Sequence, residues 1–177
     1  KCELIIFIIQ ILNKMDKNEA RSYALKERKS ITYDNKEILK RLTPYIYNKK
    51  IVGIYYPLKD ELDLRFLEER FSNIKFVYPT ILNNEIVFKE KGNKWNIGLF
   101  NINEPTGNVV LKNDIDLIIT PLLCINKNNY RIGYGKGFYD KYLNDYKGMT
   151  LAVIKSTLVL DFKEEPHDIK IKEVIVL

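Results

Sequence analysis

The chain has 177 residues, 46% hydrophobic and 29% charged, so its length suits one compact domain with a real core and its composition favours neither disorder nor membrane residence. Its formal net charge of +6 is spread along the chain and forms no basic block, which argues against a nucleic-acid-binding tail. A dispersed positive charge can still attract anionic ligands such as nucleotides.

The first residues hold an apolar run at positions 4–12, which is well short of the ~20 residues that span a bilayer. A signal-peptide core is one interpretation, but the run is not followed by the small residues of a cleavage site. We therefore interpret residues 1–14 as an apolar extension ahead of a natural start at Met15. Cys2 and Cys124 cannot build a disulfide framework or a Cys/His metal site, so a reducing compartment, the cytoplasm, is expected.

Two helices are predicted next. Strong helix formers without Gly or Pro fill residues 16–30. Apolar residues recur at helical spacing over 34–48, where Pro44 should kink the second helix or end it early.

Three strands are predicted in the following segment. The β-branched and aromatic run at 51–56 is typical of a buried strand, and 75–78 is a second strand that should stop at Pro79. Residues 85–89 alternate polar and apolar side chains, as an edge strand with one wet face does.

Between and after these strands the pattern is less regular. Asp63 is predicted to be the N-cap of a short helix that presents Leu64, Leu67 and Phe71 on one face. Residues 92–107 hold the only Trp, three Gly and a Pro, and are predicted to be a loop.

The last third alternates strands and helices. Residues 115–120 form the most strand-like run, 138–147 have helical character, and 151–154 and 173–176 are further strands. Strands separated by helices predict one α/β domain over 15–177, a Rossmann-like open sandwich whose mainly parallel sheet is flanked by helices on both faces.

A glycine-rich segment at residues 131–140 is the strongest candidate for chemistry. Ligands of open α/β sheets bind where loops lead from strands into helices, and alternate glycines allow backbone amides to approach a phosphate. The standard motifs fail, because Gly137 follows Lys136 where a P-loop needs Ser or Thr, and Phe138 stands where the dinucleotide fingerprint needs Gly. A purely structural glycine turn is the alternative. The segment reads Arg131, Ile132, Gly133, Tyr134, Gly135, Lys136, Gly137, Phe138, Tyr139, Asp140.

This string resembles the Arg-Leu-Gly-x-Gly-x-Gly-Tyr-Tyr-Asp signature of the 5-formyltetrahydrofolate cyclo-ligase family, with conservative departures at Ile132 and Phe138. The similarity runs from about Met15 to the end of the chain. Other landmarks of the family occur in the expected order: Lys17 and Arg21, Tyr56 with Asp60 and Glu61, residues 94–97 with Glu104 and Pro105, residues 121–123, and residues 165–168.

The resemblance implies an enzyme that uses ATP and Mg²⁺ to close the ring of 5-formyltetrahydrofolate, with or without a polyglutamate tail, to 5,10-methenyltetrahydrofolate. ATP phosphorylates the formyl oxygen, the ten-position nitrogen attacks the activated carbon, and phosphate leaves. Such a transfer is catalysed mainly by positioning and charge neutralisation, without a protein nucleophile. A monomer is expected that binds neither nucleic acid nor a membrane.

The resemblance also implies roles for single residues. Lys136 and Arg131 would be catalytic, residues 131–139 with Lys17 and Arg21 would bind ATP, and Asp140 and Asp168 would bind Mg²⁺. The i, i+4 spacing of Lys17 and Arg21 places both on one helical face, although a solvated basic face has the same spacing. The expected folate contacts are Tyr56, Glu61, Trp95, Tyr134, Gly135, Lys136, Gly137 and Phe138.

Two other interpretations of the sequence stay open at this point. Another small nucleotide-dependent enzyme could share the glycine loop without a folate pocket. A basic module for RNA or another polyanion would explain the charge and the many tyrosines, and its affinity would fall steeply with salt.

Overall fold

The computed structural model describes residues 14–177, so the predicted N-terminal extension lies, except for its last position, outside the described residues. None of the helices in this part of the chain is both long and apolar enough to cross a membrane. Eleven strands and four α-helices lie in it. The helices are α1 (Lys17–Glu27), α2 (Asn35–Ile46), α3 (Leu67–Arg70) and α4 (Phe138–Leu143). The strands are β1 (Ile51–Gly53), β2 (Lys75–Leu82), β3 (Glu85–Glu90), β4 (Trp95–Ile97), β5 (Asn103–Pro105), β6 (Val109–Val110), β7 (Leu117–Ile119), β8 (Cys124–Ile125), β9 (Arg131–Ile132), β10 (Met149–Ile154) and β11 (Glu173–Val176).

The two predicted N-terminal helices are confirmed. Asp16 and Glu19 form a capping box at the start of α1, and a short 3-10 turn (Arg28–Ser30) continues the helix. Asp34 caps α2, in which Pro44 falls close to the C-terminal end at Ile46. Each helix buries one face, made by Ala20 and Ala24 in α1 and by Ile38, Leu42 and Ile46 in α2.

Seven strands form the central sheet, in the order β11, β10, β7, β1, β2, β3, β6. The five strands from β11 to β2 run parallel, and the β2–β3 and β3–β6 pairs are antiparallel. This arrangement confirms the predicted mainly parallel α/β sheet. Two small antiparallel sheets, β4 with β5 and β8 with β9, stand beside it.

Helices cover both faces of the sheet, as predicted. Successive residues of a strand point to opposite faces. Leu117 packs in the cluster that holds Ile38 of α2, whereas its neighbour Ile118 packs in the cluster that holds Leu143 of α4. The α1 face lies in a third cluster, with β8 and β9.

Several strand boundaries differ from the prediction. The pairing of β1 ends at Gly53, although Ile54 and Tyr55 stay buried. β2 does not stop at Pro79. The Val77 carbonyl oxygen accepts a hydrogen bond from the Ile54 amide, so the backbone of Val77 faces β1, and so does that of Pro79 two residues later. Because β1 has ended at that point, the missing N–H of Pro79 breaks no hydrogen bond of the sheet. β3 is not an edge strand, since β6 covers part of it.

Three further predictions were wrong. Asp63 does not cap α3, because its carboxylate accepts hydrogen bonds from the backbone and side chain of Arg65. Residues 92–107 are not only a loop, because β4 and β5 pair within them. Helix α4 ends at Leu143 and not near 147, since the chain turns to bury Tyr146, whose hydroxyl donates to the Ile115 carbonyl oxygen at 2.8 Å.

Gly53 provides a test of this packing. A Cβ atom at Gly53 would lie 2.8 Å from Cε1 of Phe88 and 3.2 Å from Cγ1 of Ile118. We expect Gly53→Ala to lower the free energy of unfolding by about 1–3 kcal/mol, measured by urea denaturation. The double variant Gly53→Ala/Phe88→Leu should lose less stability than the sum of the two single variants. Strictly additive losses of stability, or a Gly53→Ala variant as stable as the wild type, would show that the ring of Phe88 does not restrict position 53.

Candidate active site

A cavity of about 590 Å³ opens where the parallel strands end. Tyr55 and Tyr56 follow β1 and Pro121 follows β7, and all three line it. This is the carboxyl edge of the sheet, where open α/β proteins bind ligands. All predicted site residues except Trp95 line this cavity: Lys17, Arg21, Tyr56, Glu61, the ten residues from Arg131 to Asp140, and Asp168.

The glycine-rich segment forms one wall. It leaves β9, which belongs to a small sheet and not to the central one, and leads into α4. Gly135 and Gly137 have φ of 86° and 68°, a backbone region that favours glycine, and Gly137 is the N-cap of α4. Helix α4 has only six residues, so its dipole is weaker than the sequence suggested, and the backbone amides are the main donors that the loop offers to an anion.

Buried Arg131 and partly exposed Asp140 form an ion pair at the base of this loop. Nη2 of Arg131 lies 3.2 Å from Oδ1 of Asp140, and the guanidinium lies over the ring of Tyr139 at 5.3 Å. Nε of Arg131 is buried and has no hydrogen-bond partner within the described residues. A buried donor without a partner is costly in free energy.

Helix α1 contributes the two basic residues that the sequence placed on one face. Nζ of Lys17 lies 2.6 Å from carboxylate oxygens of both Glu165 and Asp168. Burial lowers the pKa of Lys17, but the two carboxylates together outweigh this effect, so the pKa is raised. Nε of Arg21 donates to the Gly133 carbonyl oxygen at 3.1 Å, which ties α1 to the glycine loop.

A group of acidic residues faces this basic pair. Oδ1 of Asp140 accepts from the Ile169 amide at 3.4 Å, so Asp140 lies beside the segment that holds Asp168. Atoms of Glu165, His167 and Asp168 that could bind a metal ion lie within 4.8 Å of one another, and the side chain of Asp168 is 6% exposed. Glu165 was not predicted as a ligand, although it belongs to a quoted landmark.

The opposite wall carries Glu61, whose side chain is 5% exposed. Its carboxylate accepts from the Leu58 amide at 2.7 Å and from the Tyr134 hydroxyl at 3.2 Å. Burial raises the pKa of Glu61, while the Leu58 amide, the nearby Arg28 and the Tyr134 hydroxyl act in the other direction. Burial also raises the pKa of Tyr134 to about 12, so this phenol stays protonated and can donate.

Tyr56 lies beside Glu61 and is held from two sides. The Arg65 guanidinium lies 4.3 Å from the centre of its ring, and Trp95 packs edge-on against it at 5.0 Å. Trp95 also packs against Tyr78 and against the main hydrophobic cluster. It therefore supports Tyr56 from behind and does not line the cavity.

The far end of the cavity was missed in the sequence. It is apolar apart from Thr80 and Glu104. The Glu104 carboxylate accepts a hydrogen bond from the hydroxyl of buried Thr80 and lies 3.5 Å from the Ile81 amide nitrogen. The residues of this end, none of them predicted as site residues, are Pro79, Thr80, Ile81, Ile86, Leu99, Ile102 and Glu104. They come from the second half of β2, from β3 and from the β4–β5 region, whereas the sequence predicts that β2 stops at Pro79 and that residues 92–107 form a loop.

The fold and this cavity define an open-sheet α/β protein with a cleft of ligand size at the carboxyl edge of the sheet. A sequence model described as the 5-formyltetrahydrofolate cyclo-ligase family matches residues 13–177. The chain belongs to this family.

Individual relatives agree with that assignment. The 5-formyltetrahydrofolate cyclo-ligase of Mycoplasma pneumoniae is 30% identical over 175 residues, which cover 91% of this chain and 98% of the relative. The solved structure of a 5,10-methenyltetrahydrofolate synthetase from Mycoplasma pneumoniae matches with a TM-score of 0.75 and 27% identity, and covers 91% of this chain and 98% of that one. The NMR structure of the Aquifex aeolicus 5,10-methenyltetrahydrofolate synthetase matches with a TM-score of 0.80 and 28% identity over 92% of this chain and 90% of that one.

Proposed function

We propose that this protein closes the ring of 5-formyltetrahydrofolate to give 5,10-methenyltetrahydrofolate, with ATP converted to ADP and phosphate. The observation that carries the proposal is that one glycine loop lies between a basic wall and an acidic wall of the cavity. Lys17 and Arg21 lie on its basic side, and Glu61 contacts it on the other through Tyr134. The cavity volume is within the range of ordinary ligand sites, and the names of the relatives support the same activity.

The basic side is suited to a triphosphate. The glycine loop, Arg21, Lys136 and Arg131 line the same cavity. Lys17 would exchange part of its contact with Asp168 for a phosphate oxygen. Transfer of a phosphoryl group needs mainly positioned positive charge, and these groups supply it.

Asp140 and Asp168 fit the requirements of Mg²⁺, which prefers oxygen ligands from one or two carboxylates together with substrate phosphates. Both line the cavity, and Glu165 offers a third carboxylate next to Asp168. When bound, Mg²⁺ would neutralise charge on the phosphates. The protein's own part is to hold these carboxylates in place, through Arg131 for Asp140 and Lys17 for Asp168.

The acidic side is suited to the pterin. An ionised Glu61 can accept a pair of hydrogen bonds from the amide and amino edge of that ring. The ring of Tyr56, fixed by Trp95 and Arg65, supplies an aromatic surface beside it. The apolar end of the cavity would hold the rest of the folate and exclude water from it.

In this arrangement the formyl oxygen takes the transferred phosphoryl group, the ten-position nitrogen attacks the formyl carbon, and phosphate leaves. No protein nucleophile is required. Cys124 is unsuited to such a role, because burial raises the pKa of its thiol to about 12. The catalytic residues we assign are Lys136 and Arg131, which stabilise the charge on the moving group.

The proposal also covers the oligomeric state, the compartment and the partners of the enzyme. We propose that the enzyme is a monomer. We propose that it works in the cytoplasm on a small-molecule folate, with or without a polyglutamate tail, and that neither nucleic acid nor a membrane takes part.

The direct test is to mix the purified protein with ATP, Mg²⁺ and 5-formyltetrahydrofolate and to follow the methenyl chromophore together with ADP release. We expect one ADP for each methenyl group, and no product when ATP is omitted or when EDTA removes the metal. Folded protein that binds ATP yet forms no chromophore would contradict the proposal.

A further inference from the structure

Arg28 is a buried arginine behind the folate wall, just after helix α1. It does not line the cavity, and nothing in the sequence pattern singled it out. Its Nε and Nη2 donate to the Asp60 carbonyl oxygen at 3.0 and 2.9 Å, and its Nη1 donates to the Tyr134 hydroxyl at 2.9 Å. One guanidinium thus joins the turn after β1 to the glycine loop, which come from distant parts of the chain.

The contact with Asp60 acts on a turn in an uncommon conformation. Asp60 has a φ of 65°, which is left-handed backbone that residues other than glycine adopt at some cost. The turn is closed by a hydrogen bond from the Glu61 amide to the Leu58 carbonyl oxygen and by one from the Leu58 amide to the Glu61 carboxylate. Two hydrogen bonds from Arg28 to the Asp60 carbonyl stabilise the turn that positions Glu61.

The contact with Tyr134 completes a chain of donors. Arg28 donates to the tyrosine oxygen, and the tyrosine hydroxyl donates to Oε1 of Glu61 at 3.2 Å. Nη2 of Arg28 itself lies 3.9 Å from the same oxygen. The guanidinium therefore acts on Glu61 through the backbone, through a hydroxyl and directly through its charge.

The charge of Glu61 depends on this neighbour. Burial raises the pKa of Glu61, and Arg28 is a positive charge that opposes the rise. The other titratable groups whose ionisation the Glu61 charge affects are phenols, which are neutral near pH 7: Tyr33, Tyr55, Tyr134 and Tyr139.

We propose that Arg28 is a positioning residue for folate binding, which holds Glu61 ionised and aimed into the cavity and fixes the glycine loop against it through Tyr134. The inference rests on the proposed function, because it assumes that Glu61 binds the pterin. Arg28 does not line the cavity, and its contacts are with Asp60, Tyr134 and Glu61 on the proposed folate side. Its removal should therefore act on the folate more than on ATP.

The first test is Arg28→Met. We expect the KM for 5-formyltetrahydrofolate to rise about 10- to 100-fold, while the KM for ATP changes by less than about 2-fold. Without the guanidinium the pKa of Glu61 rises further, so a larger fraction of Glu61 is protonated at a given pH. The acidic limb of kcat/KM for the folate should therefore move to higher pH.

The conservative variant separates charge from geometry. Arg28→Lys keeps a positive charge but cannot contact both Asp60 and Tyr134 as a planar fork does. Its acidic limb should stay near that of the wild type, while its KM for the folate stays raised. The matched control is Arg41→Met, which removes an exposed arginine of α2 that donates to the Val176 carbonyl oxygen and should leave both KM values unchanged.

The outcomes are distinct. A wild-type folate KM and acidic limb in folded Arg28→Met would overturn the inference, as would equal losses for folate and ATP in either variant. If Arg28→Met does not fold, Arg28→Lys decides, because a wild-type folate KM there would also overturn it. A wild type without turnover would instead remove the proposed function, so the two failures can be told apart.

Discussion

Replacing Asp140 by Asn is expected to lower kcat about 1,000-fold, which is the scale of losing one preorganised electrostatic group in an active site. The substitution keeps the shape of the side chain and removes its charge. That charge pairs with Arg131 at 3.2 Å and, in our proposal, binds Mg²⁺ beside Asp168. Initial rates of methenyl formation at saturating ATP and folate measure the loss. The Mg²⁺ concentration that gives half-maximal rate should also rise in the variant.

Asp145→Asn is the matched control. Asp145 follows α4, is exposed, pairs with Lys112 and does not line the cavity. It should show the wild-type rate and metal dependence. If Asp140→Asn behaved in the same way as this control, Asp140 would have no part in metal binding or catalysis.

Lys136→Ala is expected to lower kcat about 100- to 1,000-fold, with a smaller change in the KM for the folate. Lys136 stands between Gly135 and Gly137 in the loop that separates the two walls, and we assign its ammonium to the phosphoryl group in transfer. A group that acts mainly in the transition state changes kcat more than KM. Single-turnover measurements of ADP formation test this assignment directly.

Lys141→Ala provides the comparison, because Lys141 is an exposed lysine of α4 outside the cavity. Thermal unfolding should show both variants folded. Turnover by Lys136→Ala at the rate of Lys141→Ala would remove Lys136 from the reaction and leave the phosphoryl charge to Arg131 and the loop amides.

The parts of the site that the sequence predicted are those whose geometry is local. The i, i+4 spacing of Lys17 and Arg21 determines that they share a helical face, and both line the cavity. The glycines of the loop are adjacent in sequence, and two of them have positive φ, as a tight phosphate-binding loop would require. The element alternation likewise predicted the parallel sheet and its flanking helices.

The parts that the sequence did not predict depend on contacts between distant segments. Whether β2 could continue past Pro79 depends on where β1 ends, and this is a property of the sheet and not of the residues around Pro79. Thr80 was missed for that reason, and Glu104, although part of a family landmark, was missed as a lining residue because residues 92–107 were predicted to be a loop. Arg28 follows a basic helix, and an arginine in that position is usually solvated. It is buried because the turn at Asp60 and the glycine loop pack around it, and both come from distant parts of the chain.

Trp95 illustrates a related limit. The sequence allowed it to wall the cavity or to pack in the interior, and composition alone cannot distinguish these two positions for a single tryptophan. In the structure Trp95 makes edge contacts with Tyr56 and Tyr78 and is not among the residues that line the cavity.

The ion pair of Lys17 with Asp168 has a consequence for synthesis of the protein on the ribosome. The lysine emerges early and its partner comes 151 positions later, so a growing chain cannot complete the pair before nearly all of it has been translated. Since residues are added at about 5–20 per second, Lys17 lacks its partner Asp168 for about 8–30 seconds. Premature termination before Asp168 would therefore yield a product that has most of the sheet but an unfinished nucleotide site.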